Sequence, residues 1–149
     1  MALELEYDRS IYGVEHKAGP FPVSQELILD FTRGIGETNP IFTDLDAAQG
    51  AGYAALVAPP TLCTIFVRQI ELPSIELKFG KHSMHAGQRV QALAPIIAGD
   101  QLSASSHLKD VYAKTGRTGT MVFVVWETTF SNQNGTVVAE VEESFARRE

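Results

Sequence analysis

The sequence predicts an α+β chain, with helices in the first half followed by an antiparallel sheet of about five strands wrapped round a buried helix near residues 60–70. Three observations lead there. Leu27, Ile28, Phe31 and Ile35 recur at helical spacing. Residues 61–70 are apolar on nearly every face, as in a helix covered all round. From residue 75 onward the period changes to two.

Residues 1–23 read as a polar lead-in within a single domain over 1–149, residues 1–13 being its polar start. The lead-in ends extended, because Pro20 and Pro22 forbid helix there. Ser24 is the expected N-cap of the first helix, with Glu26 in its first turn, and Gly34 and Gly36 end it. Asn39-Pro40 marks a turn, and Asp44 can cap a second short helix through Asp46, Ala47 and Ala48. Pro60 suits the first turn of the buried helix, where its missing N–H costs little. Strands are expected at 75–79, 87–94, 101–113, 119–131 and 136–147. Leu102, Ala104, Ser106 and Leu108 alternate with polar residues, as do Val137, Ala139 and Val141. Asn134-Gly135 signals a hairpin. Met121–Trp126 is continuously apolar, which predicts a central strand covered on both faces.

The 149 residues suit one domain, and 44% hydrophobic with 20% charged residues is a globular composition. A formal charge of −6 argues against nucleic-acid binding, which needs a basic surface. The single cysteine, Cys63, excludes an intrachain disulfide and fits a reducing compartment. With no long apolar run and no basic-then-apolar leader in MALELEYDRS, a cytoplasmic protein that does not enter the membrane is expected. Gly34-x-Gly36 ends a helix, so it is no dinucleotide fingerprint. His82 and His85 should point to opposite faces of a strand, and no Cys/His/Asp cluster supports a metal. His16 and His107 read as surface residues. Cys63 lies in an all-apolar segment and reads as a small core residue in preference to a nucleophile.

Phe31-Thr-Arg-Gly-Ile-Gly-Glu37-Thr-Asn39-Pro40-Ile-Phe42-Thr-Asp44 resembles the S-G-D-x-N-P-[LIV]-H-x-D signature of the MaoC-like (R)-specific enoyl hydratases and 3-hydroxyacyl dehydratases. The segment Leu56-Val57-Ala58-Pro59-Pro60-Thr61, His85-Ala86-Gly87-Gln88, the Ala98-Gly99-Asp100 turn and the Asn134-Gly135 hairpin extend the likeness to the N-terminal, non-catalytic type of MaoC-like domain. It covers about residues 14–147. The resemblance implies a single hot-dog fold, in which an antiparallel sheet wraps a helix. No cofactor and no metal are implied.

The resemblance also locates the departures. Active members hold and deprotonate a water with the Asp and His of the signature. Here those positions are Glu37 and Phe42, and a phenyl ring carries no proton. The thioester carbonyl is polarised in the family by a backbone N–H at the start of the buried helix. This chain has Pro59-Pro60 at that place, and proline has no N–H. Glu37 and Asn39 remain as weak catalytic candidates, against the plainer readings of a solvated acid and a turn residue. Leu56, Val57, Ala58, Pro59, Thr61 and Phe42 are the candidates for lining an acyl tunnel, against ordinary core packing. Arg68, Lys78, Lys81 and Arg89 are candidates for the phosphates of a coenzyme A or phosphopantetheine arm, against local pairing with Glu71 and Glu76.

These features imply a non-catalytic subunit of a hydro-lyase. It would bind the acyl chain of a coenzyme A or acyl-carrier-protein thioester, fatty or steroid-derived, while a second hot-dog chain carrying D-x-N-P-x-H supplies the Asp/His pair. Two alternatives stand beside it: a self-sufficient homodimeric hydratase using Glu37, and a thioester-binding protein with no reaction. A lone hot dog leaves a sheet edge open, so a homo- or heterodimer joined edge to edge is expected.

Overall fold

The computed structural model describes residues 3–149. Five antiparallel strands, β1 (His16–Pro22), β2 (His82–Ala92), β3 (Gln101–Gly116), β4 (Gly119–Ser131) and β5 (Val137–Arg148), form one sheet in the order β1-β3-β4-β5-β2. β4 is central, as the continuous apolar run predicts, and Val124, Val125 and Trp126 are all buried. The β4–β5 hairpin turns at Asn132–Thr136. There Gly135 takes φ +78°, and the Asn132 side chain accepts from the N–H groups of Asn134 and Thr136.

Three short helices accompany the sheet. Helix α1 (Gln25–Gly34) starts where Ser24 Oγ accepts from Leu27 N at 3.0 Å. It stops where Gly36 turns to φ +72°. Ile28 and Thr32 are its buried residues, whereas Ile35, expected on the apolar stripe, is exposed. Asp44 caps α2 (Leu45–Gly50) through Asp46 N. The segment expected as a helix over 60–70 is shorter. A 3-10 turn, Pro60–Leu62, leads into a five-residue helix α3 (Cys63–Val67). Leu62, Cys63 and Phe66 are buried, but Arg68 and Gln69 are exposed, so the covering is one-sided. The reason is that only the sheet-facing stripe meets a partner. Phe66 stacks on Phe21 with ring centroids 5.0 Å apart, and Phe130 tilts against both.

Two other expectations are corrected. Residues 75–79 are not a strand, and the fifth strand is β1, inside the segment read as a lead-in. β1 pairs with β3 from His16 to Pro22, with an irregularity between Ala18 and Phe21. An edge strand tolerates Pro20 and Pro22 because one side of it needs no donor. Residues 72–79 instead cross the far end of the sheet as extended coil. Ile75 and Leu77 complete a second core cluster there with Leu108, Val122 and Trp126. Leu5, Tyr7 and Ile11 pack against that cluster, so the first residues are less polar in use than in composition. Asp8 N to Ile75 O at 2.8 Å and Lys78 N to Glu6 O at 2.9 Å tie the two coils together.

Candidate functional site

The signature segment folds as a run of local caps. Glu37 is exposed, and its Oε1 accepts from the backbone N–H of Thr38 at 2.9 Å and of Asn39 at 3.0 Å. Asn39 Oδ1 accepts from Ile41 N at 3.2 Å, capping the 3-10 turn Pro40–Phe42. Both catalytic candidates therefore satisfy backbone donors. The turn delivers Ile41 and Phe42 to an apolar cavity of about 310 Å³.

The floor of this cavity is built by the segment after Tyr53. Ala98 N donates to Leu56 O and Ala58 N to Ile96 O, both at 2.8 Å, while Val57 N donates to Ile41 O on the other side. This alternation sends Leu56 into the core, 1% exposed, and leaves Val57 and Ala58 at the cavity. Pro60 and the residues from Ala92 to Ile96 close it, with Val138. The 92–97 wall is anchored by buried Asp100, whose Oδ2 accepts from Ile97 N and whose Oδ1 accepts from Gln133 Nε2, each at 3.0 Å.

Of the six residues expected to line an acyl tunnel, Phe42, Val57 and Ala58 meet at one cavity. Leu56 and Pro59 are buried away from it and Thr61 is exposed beside it. Sequence reasoning missed Ile41, Tyr53, Pro60 and the 92–96 wall. Ile41 was readable, since it adjoins Phe42 in the signature, but the wall comes from a segment about 35 residues later in sequence and had no local signal. No lining residue has an acid or imidazole side chain, and the one polar side-chain atom among them is the Tyr53 hydroxyl. Such a cavity can hold a hydrocarbon but cannot exchange a proton with it at neutral pH.

The remaining candidates are dispersed. Arg68, Lys78, Lys81 and Arg89 are exposed and form no ion pair among the described residues, so the local pairing with Glu71 and Glu76 does not occur. Burial pushes the Cys63 thiol up to about 12. His16 is not a free surface residue: its ring lies edge-on to Trp126 at 5.9 Å. His107 is only partly exposed and contacts Glu15 and Glu127. No group of His, Cys, Asp and Glu with metal-binding geometry occurs among the described residues. No helix among them is long and apolar enough to cross a membrane.

Residues 10–141 match the family described as FAS1-like, dehydratase domain region. The chain belongs to the FAS1-like dehydratase family. It is similar to a UPF0336 protein of Parafrankia sp., at 39% identity over 125 residues covering 81% of this chain and 80% of the relative. The fold of this FAS1-like dehydratase chain is the MaoC-like hot dog. It superposes on the C-terminally truncated HadBC (3R-hydroxyacyl-ACP dehydratase) complex from Mycobacterium tuberculosis with a TM-score of 0.72 and 27% identity, covering 91% of this chain and 96% of that one. The ChsH1–ChsH2 complex from the same organism gives a TM-score of 0.70 at 21% identity, with 92% and 88% covered.

Proposed function

We propose that the chain is the acyl-binding, non-catalytic subunit of an (R)-specific enoyl-thioester hydratase or 3-hydroxyacyl-thioester dehydratase. A partner hot-dog chain carrying D-x-N-P-x-H supplies the acid and base. The observation that carries this reading is Phe42, which stands at the wall of a cavity without acidic or imidazole side chains, where active relatives need a proton carrier. Hydration of a 2-enoyl thioester puts the water oxygen on C3 and a proton on C2, so one group must take a proton while another gives one. Glu37 alone has no imidazole beside it, and its Oε1 serves Thr38 and Asn39. Pro59 and Pro60 add no donor for the developing enolate oxygen. The cavity of about 310 Å³ suits the alkyl part of the substrate. The likeness to a structure described as a 3R-hydroxyacyl-ACP dehydratase complex supports a heteromeric assembly. The chain would work with carrier-protein or coenzyme A thioesters.

The test is hydration of enoyl thioesters of several lengths by the chain alone, by a chain bearing D-x-N-P-x-H, and by both together. The expected result is activity at the assay floor for this chain alone and full turnover only for the pair. Ordinary enzymatic rates from this chain alone, abolished by Glu37→Gln, would establish the Glu37 homodimer instead. Thioester binding without turnover in any combination would leave a binding protein.

A further inference from the structure

A carboxylate on the core side of a sheet is costly unless it has a task. Glu143 is such a residue. It follows buried Ala139 and Val141 at period two along β5, it pairs with Trp126 across β4, and its side chain is only 14% exposed. His85 reaches the same face through a backbone irregularity. Counting in twos from Val90, which pairs with Val141, strand β2 would turn His85 outward. The extra residue Ala86 between His85 and Gly87 reverses that phase, as bulges do beside functional sites. His85 Nε2 then lies 2.8 Å from Glu143 Oε2, and Gln88 Nε2 donates to the same oxygen at 3.3 Å. Both contacts fall on Oε2, which leaves Oε1 as an open acceptor.

These groups border a second cavity of about 510 Å³, walled by Trp126, Phe145, Leu72 and Ile70 and bounded by Arg68. Arg68 forms no ion pair among the described residues. The two cavities meet β2 at Ala92 and His85, seven residues or roughly 23 Å apart along the strand. They are separate sites.

We propose that this second cavity binds a neutral, hydroxyl-bearing amphiphile. Its apolar body lies against Trp126, Phe145, Leu72 and Ile70, and its hydroxyl donates to Glu143 and accepts from Arg68. A hydroxyl answers both polar groups at once, whereas a carboxylate would answer Arg68 and be repelled by Glu143. The inference stands independently of the chain's catalytic role.

Trp126 is the one tryptophan of the chain and does not line the first cavity, so its emission reports this site alone. The purified full chain is titrated at neutral pH with 1-octanol, with octyl methyl ether, which cannot donate, and with octanoate. Octanol should give a saturable change in the submillimolar range, with ether and octanoate each about tenfold weaker. Glu143→Leu, and separately Arg68→Leu on the exposed rim, should erase the advantage of the alcohol over the ether while alkyl binding persists. The second variant retains the test if the first does not fold. Equal affinity for alcohol and ether, tightest binding of octanoate, or no saturable change with octanol would overturn the proposal.

Discussion

Phe42 and Glu37 occupy the two positions that the resemblance to the signature assigns to chemistry, and each has a physical occupation of its own. Phe42 is a wall of the apolar cavity, and Glu37 caps two backbone N–H groups. An amide oxygen accepts those hydrogen bonds as a carboxylate does. Glu37→Gln should therefore leave stability within about 0.5 kcal/mol and leave turnover of the assembled enzyme unchanged. Loss of a working base would instead lower the rate by about 10²–10⁴. Steady-state rates of the assembled pair decide between these outcomes. Val57→Phe narrows the same cavity and should shift the preferred acyl length downward with little change in rate on short substrates. Cys63 supplies a prediction in pH. Burial pushes its thiol from 9.0 up to about 12, so the folded chain holds the proton more tightly than the unfolded chain does. That stabilisation is complete below pH 9 and declines as the unfolded thiol ionises, by at most about 1.4 kcal/mol per pH unit, until the folded thiol ionises near 12. Denaturant midpoints measured from pH 8 to 11 should fall more steeply in the parent than in Cys63→Ala, and parallel curves would refute the account.

At the scale of elements, α3 is short and depends on its sheet-facing side. Phe66, 3% exposed, joins α3 to β1 and β4 through Phe21 and Phe130. Phe66→Asp both empties that cluster and buries an unpaired charge, which should cost more than about 4 kcal/mol and prevent a cooperative thermal transition. Ile65 is only half-buried, so Ile65→Asp should cost less and leave a measurable melt. The extended coil over 72–80 has its own critical point. Gly80 has φ +61°, and a Cβ there would lie 2.3 Å from the carbonyl oxygen of Arg148 at the end of β5. Gly80→Ala should lift the coil from the second core cluster, lowering the melting temperature and raising hydrogen exchange at Lys78, whose amide bonds Glu6.

At the scale of the whole molecule, the two edges of the sheet differ. β1 is a seven-residue edge interrupted by Pro20 and Pro22, which blunts pairing. β2 is an eleven-residue edge whose residues are mostly exposed, and Arg89 is its only residue with a permanent charge. Such an edge is open to a second strand. The expected assembly therefore joins β2 to its counterpart in another hot-dog chain. Sedimentation at micromolar concentration should give a mass above the 16.3 kDa of one chain, whether alone or mixed with a hot-dog chain bearing D-x-N-P-x-H. A clean monomer in both preparations would exclude edge pairing.

Much of the architecture was legible in local patterns. Ser24 and Asp44 are caps because their side-chain oxygens reach nearby N–H groups, and the first half of β3 alternates because one of its faces meets the core. That Phe42 has no imidazole and Pro59 and Pro60 no N–H is a property of composition at fixed places, and it needs no coordinates. Tertiary structure decided the rest. β1 became a strand despite its prolines because an edge needs donors on one side only, while 75–79 stayed coil with its hydrogen bonds going to the N-terminal segment. The 92–96 wall was invisible because it meets Phe42 only through the hydrogen bonds of Leu56–Ala58. His82 and His85 do alternate as counting in twos implies, but the extra residue Ala86, which sets the phase of His85 against Gln88 and Val90, carried no sequence signal. Periodicity describes a chain's own geometry, whereas bulges, edges and cavities depend on which distant segment lies alongside.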